Sequence, residues 1–342
     1  MISIKCCKGL PVEYESFLVK KYQSFMTTCR YIEIYYPTYD INYMLVYNDN
    51  NLIELLIFGI SRDASTCFNS LVHIDKSIVK ELATNTFEEY ANIKKIIIDA
   101  SFEEYALKKS ILTSKFNDYI INLPPTMEDY YNELGRSTRQ HAKNRKSRLL
   151  RDYPDVKFIT KLGTEIEAEI VEKIIQLNID RMKHKGKIPG RDNTDMINNF
   201  KYSQYYGSVT YIEINGVIVA GCISTVLNKS IYSHIIAHDD NFSKYSIGEV
   251  CALHLIQTSI EKGLFTLHSL WGESDLKKRL LAKPHPLFSY LIYRNYTHKY
   301  VIDKGKALVS MTSSNIRRSK YSKPFRDAIK NYRKKKMNKQ LN

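Results

Sequence analysis

Between residues 209 and 281 the apolar and polar positions predict strand, turn, strand, turn, strand, polar loop, helix and strand, in that order. Val209-Thr210-Tyr211-Ile212-Glu213-Ile214 is rich in β-branched and aromatic side chains, and Asn215-Gly216 directly after it is the strongest short hairpin signal. Residues 217–227 run back, Lys229-Ser230 turns again, and 231–238 go out a third time, with Tyr232, His234, Ile236 and His238 expected on one face. Residues 239–246 are polar. Ile247-Gly248 then opens an apolar helical run over 250–260 that ends at Lys262-Gly263. Residues 264–271 predict one more strand, and Gly272-Glu273-Ser274-Asp275-Leu276-Lys277-Lys278-Arg279 closes the unit.

The first part of the chain carries the same order more faintly. Residues 10–25 predict a helix, with Tyr14, Phe17, Leu18, Tyr22 and Phe25 at helical spacing, and 31–36 a short strand. Residues 43–47 and 52–60 predict a hairpin around Asn48-Asp49-Asn50-Asn51, followed by a strand at 68–74, a helix at 78–90 and a β-branched strand at 93–99. The two hairpin turns lie about 166 positions apart, and Gly59 and Gly221 fall at similar places, so the chain reads as a tandem duplication of one fold. The first copy lacks the polar loop and the glycine ahead of its helix. An anion cradle needs backbone N–H groups at a helix start, so this copy reads as a degenerate scaffold.

Residues 102–112 predict a helix and 119–123 a strand, which Pro124-Pro125 ends at a natural joint. Thr126 ahead of Glu128 and Asp129 starts a helix, and 136–151 form a strongly basic one. A strand at 156–160 and a long amphipathic helix at 165–185 follow, with Ile166, Ile170, Ile174, Leu177 and Met182 on its apolar side. A basic loop, Lys185-Gly186-Lys187-Ile188-Pro189-Gly190-Arg191, precedes a helix at 194–206. Beyond the core, 287–300 predict a helix and 323–339 a basic tail. The expected class is α+β (mixed α/β), with tandem domains that are each a mostly antiparallel mixed sheet flanked by helices. The expected domains are 1–125, degenerate; 126–310, active; and a basic C-terminal tail, 311–342.

The order of three antiparallel strands, loop, helix and strand resembles the core of the GNAT (Gcn5-related N-acetyltransferase) superfamily. The variant it most resembles is the acetyltransferase domain of exopolysaccharide (cellulose-type) biosynthesis, related to the Fem-type peptidyltransferases. Tyr245-Ser246-Ile247-Gly248 sits where that family has a Ser-Pro-Gly-like loop, and Gly272-Glu273 followed by Lys277 sits where it has Gly-Asp-x-x-Tyr-Lys. Ile247 replaces the usual Pro and Leu276 the usual Tyr. The resemblance covers roughly residues 128–282. It implies transfer of an acyl group, acetyl from acetyl-CoA foremost, to an amine or hydroxyl of a sugar or cell-envelope precursor. Fem-type relatives imply a second possibility, aminoacyl-tRNA as donor. Departures at Ile247 and Leu276 leave open a third, an envelope-associated protein without catalysis.

Composition narrows this only in part. A hydrophobic fraction of 44% suffices for a sizeable core, and the formal charge of +15 favours an anionic partner: a phosphate-bearing co-substrate, a nucleotide-sugar, nucleic acid or an anionic membrane surface. The six cysteines show no C-x-x-C spacing and no metal-ligand interval with histidine, so no metal is expected and a reducing compartment fits best. No secretory signal and no apolar run near the ~20 residues of a membrane span is present, so a cytoplasmic protein is expected. The basic tail offers peripheral contact with anionic lipid at the inner face of the membrane.

Acyl transfer from a thioester needs a strand edge for the donor's extended arm, backbone donors for its pyrophosphate, and a base near the carbonyl. Lys244, Tyr245, Ser246, Ile247 and Gly248 supply the second as a loop opening a helix, where the dipole adds roughly 0.3–1 kcal/mol for an anion. An ordinary Ser N-cap accounts for the same residues. His234 is a candidate general base because its ordinary pKa lies near neutrality, and His268 on the neighbouring strand shares that status; each is equally a histidine satisfied within a sheet. Glu273 and Lys277 close the last strand as candidate base and anion holder, or as a solvated i,i+4 pair. Trp271 beside them walls a pocket or fills the core. Arg136, Arg139 and Lys143 lead a stripe on the basic helix, where seven bases occur without an acid up to Asp152; they bind an anionic substrate or RNA, or form a solvated face. P-loop, GxGxxG, nucleophile-elbow and zinc-protease motifs are absent from the sequence.

Overall fold

The computed structural model describes residues 2–186 and 193–318; the basic loop from Lys187 and the tail expected at 323–339 lie outside the described residues. In chain order the first elements are β1 (Ile2–Lys8), α1 (Glu15–Tyr22), α2 (Cys29–Tyr35), β2 (Asp40–Asn48), β3 (Asn51–Ser61), β4 (Ala64–Cys67), α3 (Lys76–Glu89), β5 (Lys95–Ser101) and β6 (Ser110–Asn122). Then come α4 (Met127–Glu133), α5 (Arg136–Asp152), β7 (Lys157–Leu162), α6 (Ala168–His184), α7 (Asn193–Tyr206), β8 (Gly207–Ile214), β9 (Val217–Leu227), β10 (Ser230–His238), α8 (Ile247–Glu261), β11 (Thr266–His268), α9 (Asp275–Arg279), β12 (Lys283–Tyr293) and α10 (His298–Arg318). Strand, two helices, three strands, helix, strand and a final strand therefore occur twice, from β1 to β6 and from β7 to β12, with the short α9 inserted before the final strand of the second run.

The chain divides into two compact units, residues 2–117 with 285–318, and Asp118–Pro284. In the first unit β1, β2 and β3 are antiparallel neighbours, β4 pairs with β3 and runs parallel to β5, and β5 takes β12 as its antiparallel partner. Its core joins Met44, Leu45 and Val46 of β2 to Leu55, Leu56 and Ile57 of β3, with Val79 and Leu82 of α3 and Phe288, Tyr290 and Ile292 of β12. Each fully buried aliphatic or aromatic side chain contributes about 1.5–3 kcal/mol. In the second unit β7, β8, β9 and β10 form an antiparallel meander, β11 runs parallel to β10, and the end of β6 pairs with β11. α8 packs on one face of this sheet with Ile212, Cys222 and Ile231, and α6 on the other with Val209, Ile223 and Ile235.

Both hairpins turn as the sequence predicts. Asn215 (φ 52°) and Gly216 (φ 76°) link β8 to β9, and Asp49 (φ 47°) and Asn50 (φ 68°) link β2 to β3; two left-handed residues in succession match the strand twist. Gly59 and Gly221 do not hold equivalent places: Gly59 is the ninth residue of β3 and Gly221 the fifth of β9, though each lies where the packing leaves no room for a side chain. A Cβ on Gly59 would lie 2.6 Å from Phe68 and Tyr39, and one on Gly221 2.5 Å from Ile174 of α6.

Four expectations are corrected. Residues 31–35 are helical, in α2, and Tyr36 caps it: Thr28 accepts a hydrogen bond from Tyr31 N, and Tyr31 stacks on Tyr35 with centroids 4.4 Å apart, an i,i+4 pair. The third strand of the first unit is β4, ending at Cys67, and 68–74 lie beyond it. Residues 102–109 are irregular before β6, and 287–293 extend as β12 instead of coiling. Leu287, Phe288, Tyr290 and Ile292 are all buried, and an apolar run covered on both faces has no period by which to tell helix from strand. α10 covers part of the segment that pattern alone left unassigned.

Candidate functional site

β10 has nine residues, but only Ser230, Ile231 and Tyr232 pair with β11, opposite Thr266, Leu267 and His268. Beyond them the two parallel strands part, leaving the β11-facing edge of 233–238 open. In the first unit all four residues of β4 pair with β5, and Val72 continues the contact as a bridge to Ser101, so the corresponding strands stay together. A cleft of about 660 Å³ occupies the parting in the second unit. Its walls are β10 with α6 on one side and the segment after β11 on the other, and its base is the start of α8.

At the base, Ser246 (φ 49°) turns the chain into α8, and Ser246, Ile247 and Gly248 line the cleft. The first amides of a helix have no intrahelical acceptor and face outward along the dipole. Ile247, where the resembled family has Pro, is fully buried in the core beneath. Gly248 is required by a close approach: a Cβ there would lie 2.5 Å from His238 Nδ1. Tyr245 is buried with its hydroxyl on Asp152 Oδ2 at 2.8 Å, and Lys244 lies over its ring at 4.7 Å; neither lines the cleft. Glu249, 6% exposed in the first turn of α8, is held between Arg145 of α5 at 2.6 Å and Arg279 of α9 at 2.8 Å.

On one wall a bulge between Ser233 and Ile235 breaks the alternation of β10. Ile231 and Ile236 face α8 while Ile235 and Ala237 face α6, so the four residues expected on one face of the strand do not share it. His234 lines the cleft with Nε2 2.8 Å from Thr225 Oγ1. His238 titrates below the ordinary histidine value because of burial and then the nearby Arg181 charge. Arg181 of α6 donates from Nη2 to Ile236 O at 3.1 Å on the open edge.

On the other wall, left-handed Leu270 (φ 55°) and Gly272 (φ 92°) curl the chain after β11. The Leu270 and Trp271 carbonyls thereby converge on Lys277 Nζ, each at 3.0 Å, and the same ammonium lies 5.1 Å from the Tyr119 ring centre. Burial lowers the Lys277 pKa from 10.5 to about 8, against the opposing pull of Asp118. Glu273 pairs with Lys278 Nζ at 2.5 Å rather than with Lys277, and its side chain is 52% exposed. Trp271 and Leu276 also line this wall.

The cleft thus brings together Glu273, His234, Lys277, Trp271, Ser246, Ile247 and Gly248. Arg136, Arg139 and Lys143 lie along α5, away from the cleft lining; Arg139 donates to Asn132 and Lys143 lies over Tyr131. Sequence reasoning missed Arg181 and Asp118, and read Glu249 only as a first-turn acid favoured by the helix dipole, without its two arginine partners. Asp118, fully buried on β6, accepts from His268 Nδ1 at 2.6 Å, and His268 stacks on Tyr232 with centroids 4.3 Å apart. A charge two positions before a strongly apolar run, and an arginine beside an apolar helical stripe, were the available signals. Among the described residues no three His, Cys, Asp or Glu side chains gather as a metal site, and no helix is long and apolar enough to cross a membrane.

Residues 136–278 match the family model of the acetyltransferase (GNAT) domain. No curated protein matches the chain. Among solved structures it resembles FemX, with a TM-score of 0.65 at 10% identity over 88% of this chain and 100% of that one. It also resembles a conserved protein of unknown function from Bacteroides thetaiotaomicron VPI-5482, with a TM-score of 0.53 at 14% identity over 85% and 99%. A tandem GNAT protein from the clavulanic acid biosynthesis pathway gives a TM-score of 0.50 at 7% identity over 86% and 100%. At these identities the likeness is one of fold, and it extends through both units. The chain is a tandem GNAT fold whose residues 136–278 form an acyltransferase domain of the GNAT superfamily.

Proposed function

We propose that the cleft transfers an acyl group from acyl-CoA, acetyl-CoA foremost, to an amine or hydroxyl of a sugar or cell-envelope polysaccharide precursor. The parting of β10 and β11 over the start of α8 carries this reading, because it offers an open strand edge and helix-start amides in one cavity. Ser246, Ile247 and Gly248 would hold the pyrophosphate, and the edge of 233–238 the extended arm. When bound, the donor supplies a thioester carbonyl. Lys277, still mostly protonated at pH 7 with a pKa of about 8, donates to oxygen as negative charge develops on it. Glu273, solvent-facing at the cleft mouth, accepts the proton that the attacking amine or hydroxyl gives up, and His234 is the alternative acceptor. The acceptor gains the acyl group, the carbon–sulfur bond breaks, and the thiol leaves with a proton.

Calorimetry with CoA and acetyl-CoA tests the reading. Micromolar binding is expected for the wild type, with at least tenfold weaker binding for Ser246→Asp, whose carboxylate would face the pyrophosphate. Absence of binding to the wild type would reject acyl-CoA as donor. The exposed bases of α5 favour a second reading, transfer from aminoacyl-tRNA, with Arg136, Arg139 and Lys143 on the RNA backbone. Labelling of acceptors that requires charged tRNA and not CoA would select it.

A further inference from the structure

Two polar side chains on the α6–β10 wall hold buried atoms without a hydrogen-bond partner, Arg181 Nε and Ser233 Oγ. Ser233 is 6% exposed. An unpaired buried polar group costs about 1–3 kcal/mol, so folds retain few of them without a use. His238 Nδ1 is a third such atom, but it is turned against Gly248 and serves as wall. Arg181 carries five N–H donors in a planar fork. One reaches Ile236 O, between Ser233 and His238 along the strand, and Arg181 has no ion pair among the described residues. The nearest acid that influences it, Asp240, is engaged by His184 at 3.2 Å and His238 at 3.6 Å. The wall therefore holds a fixed positive charge and a buried hydroxyl whose hydrogen-bonding capacity is unspent.

We propose that Arg181 and Ser233 form a subsite for an oxyanion, a carboxylate or phosphate group carried by one of the two substrates. The proposal rests on the reading of the cleft as the transfer site and adds the chemistry that a substrate must bring to this wall. Arg181 supplies charge and a forked donor, and Ser233 supplies the hydroxyl. An acyl donor and an acceptor can each carry such a group, and competition separates the two sources.

The test uses the full chain and its only tryptophan, Trp271, which lines the same cleft and is 48% exposed. Its fluorescence is followed as sodium phosphate or sodium acetate is added at ionic strength matched with sodium chloride, with and without CoA. The expected result is a saturable change with at least one anion. It weakens at least tenfold in Arg181→Gln, less in Arg181→Lys, and not in the charge-matched control Lys157→Gln. Loss of the anion response in the presence of saturating CoA assigns the oxyanion to the donor, and persistence assigns it to the acceptor; both support the subsite. No saturation in the wild type, or equal affinity in Arg181→Gln, overturns it. Should Arg181→Gln fail to fold, Ser233→Ala replaces it, with a threefold or greater loss expected and an unchanged affinity overturning the proposal. CoA that fails to bind while phosphate or acetate binds would reject the donor assignment and leave the subsite standing.

Discussion

Lys277 is the residue where burial and chemistry meet. Its ammonium is held partly out of water by two carbonyls and an aromatic face, and its pKa falls from 10.5 to about 8. In the unfolded chain the same group keeps its proton up to about 10.5, so between those values the unfolded state binds more protons and stability rises with pH. Below pH 8 both states are protonated and the cost of burying the charge is complete. Lys277→Met is therefore expected to raise the urea midpoint at pH 7, with the gain fading as the pH approaches 10.5. An equal gain at both ends of that range would refute the account. Gly248 makes a second prediction at this scale. Gly248→Ala drives a methyl into His238 and should cost about 1–3 kcal/mol, and in a His238→Ala background the same substitution should cost less, as a double-mutant cycle in urea would show.

Among elements, the contacts of α6 and α8 decide how the cleft is held. α6 lies so close to β9 that Ile174 fills the place of a side chain at Gly221. Gly221→Ala should destabilise the fold by about 1–3 kcal/mol, and Ile174→Ala should partly relieve it. Glu249 ties α8 to α5 and α9 through Arg145 and Arg279. Glu249→Gln should cost less than the roughly 3–5 kcal/mol of breaking a fully buried pair, because those arginine side chains remain 30% and 46% exposed; thermal melts measure the difference. The meander from β8 to β10 and both hairpin turns were legible in the sequence, since alternation and Asn-Gly are local signals. The parting of β10 from β11 was not, because pairing across 30 or more residues leaves no local mark. Glu273 and Lys277 were legible as a pair of charges at a strand end. That Lys278 takes the ion pair, while Lys277 turns inward, depends on the left-handed Leu270, which no residue preference announces.

For the whole molecule, the decisive feature is that residues 285–318 belong with 2–117, while Asp118–Pro284 is uninterrupted. β12 supplies Phe288, Tyr290 and Ile292 to the core of the first unit and covers the edge of β5. A chain ended at Pro284 should keep a cooperative urea transition for the second unit and lose that of the first; two intact transitions would show that β12 is dispensable. The expected boundaries at 125 and 310 cut elsewhere: a fragment of 126–310 would lack the stretch of β6 that pairs with β11, and with it Asp118. A ribosome meets this arrangement in one direction only. It delivers the first unit's strands early and their last partner late, about 170 residues further on, a wait of roughly ten to thirty seconds at 5–20 residues per second. The described residues of the second unit have all emerged once Pro284 does. The half made first thus receives its last strand late, and until then the edge of β5 that β12 will cover is left without that partner, the kind of bare edge that invites pairing with another chain.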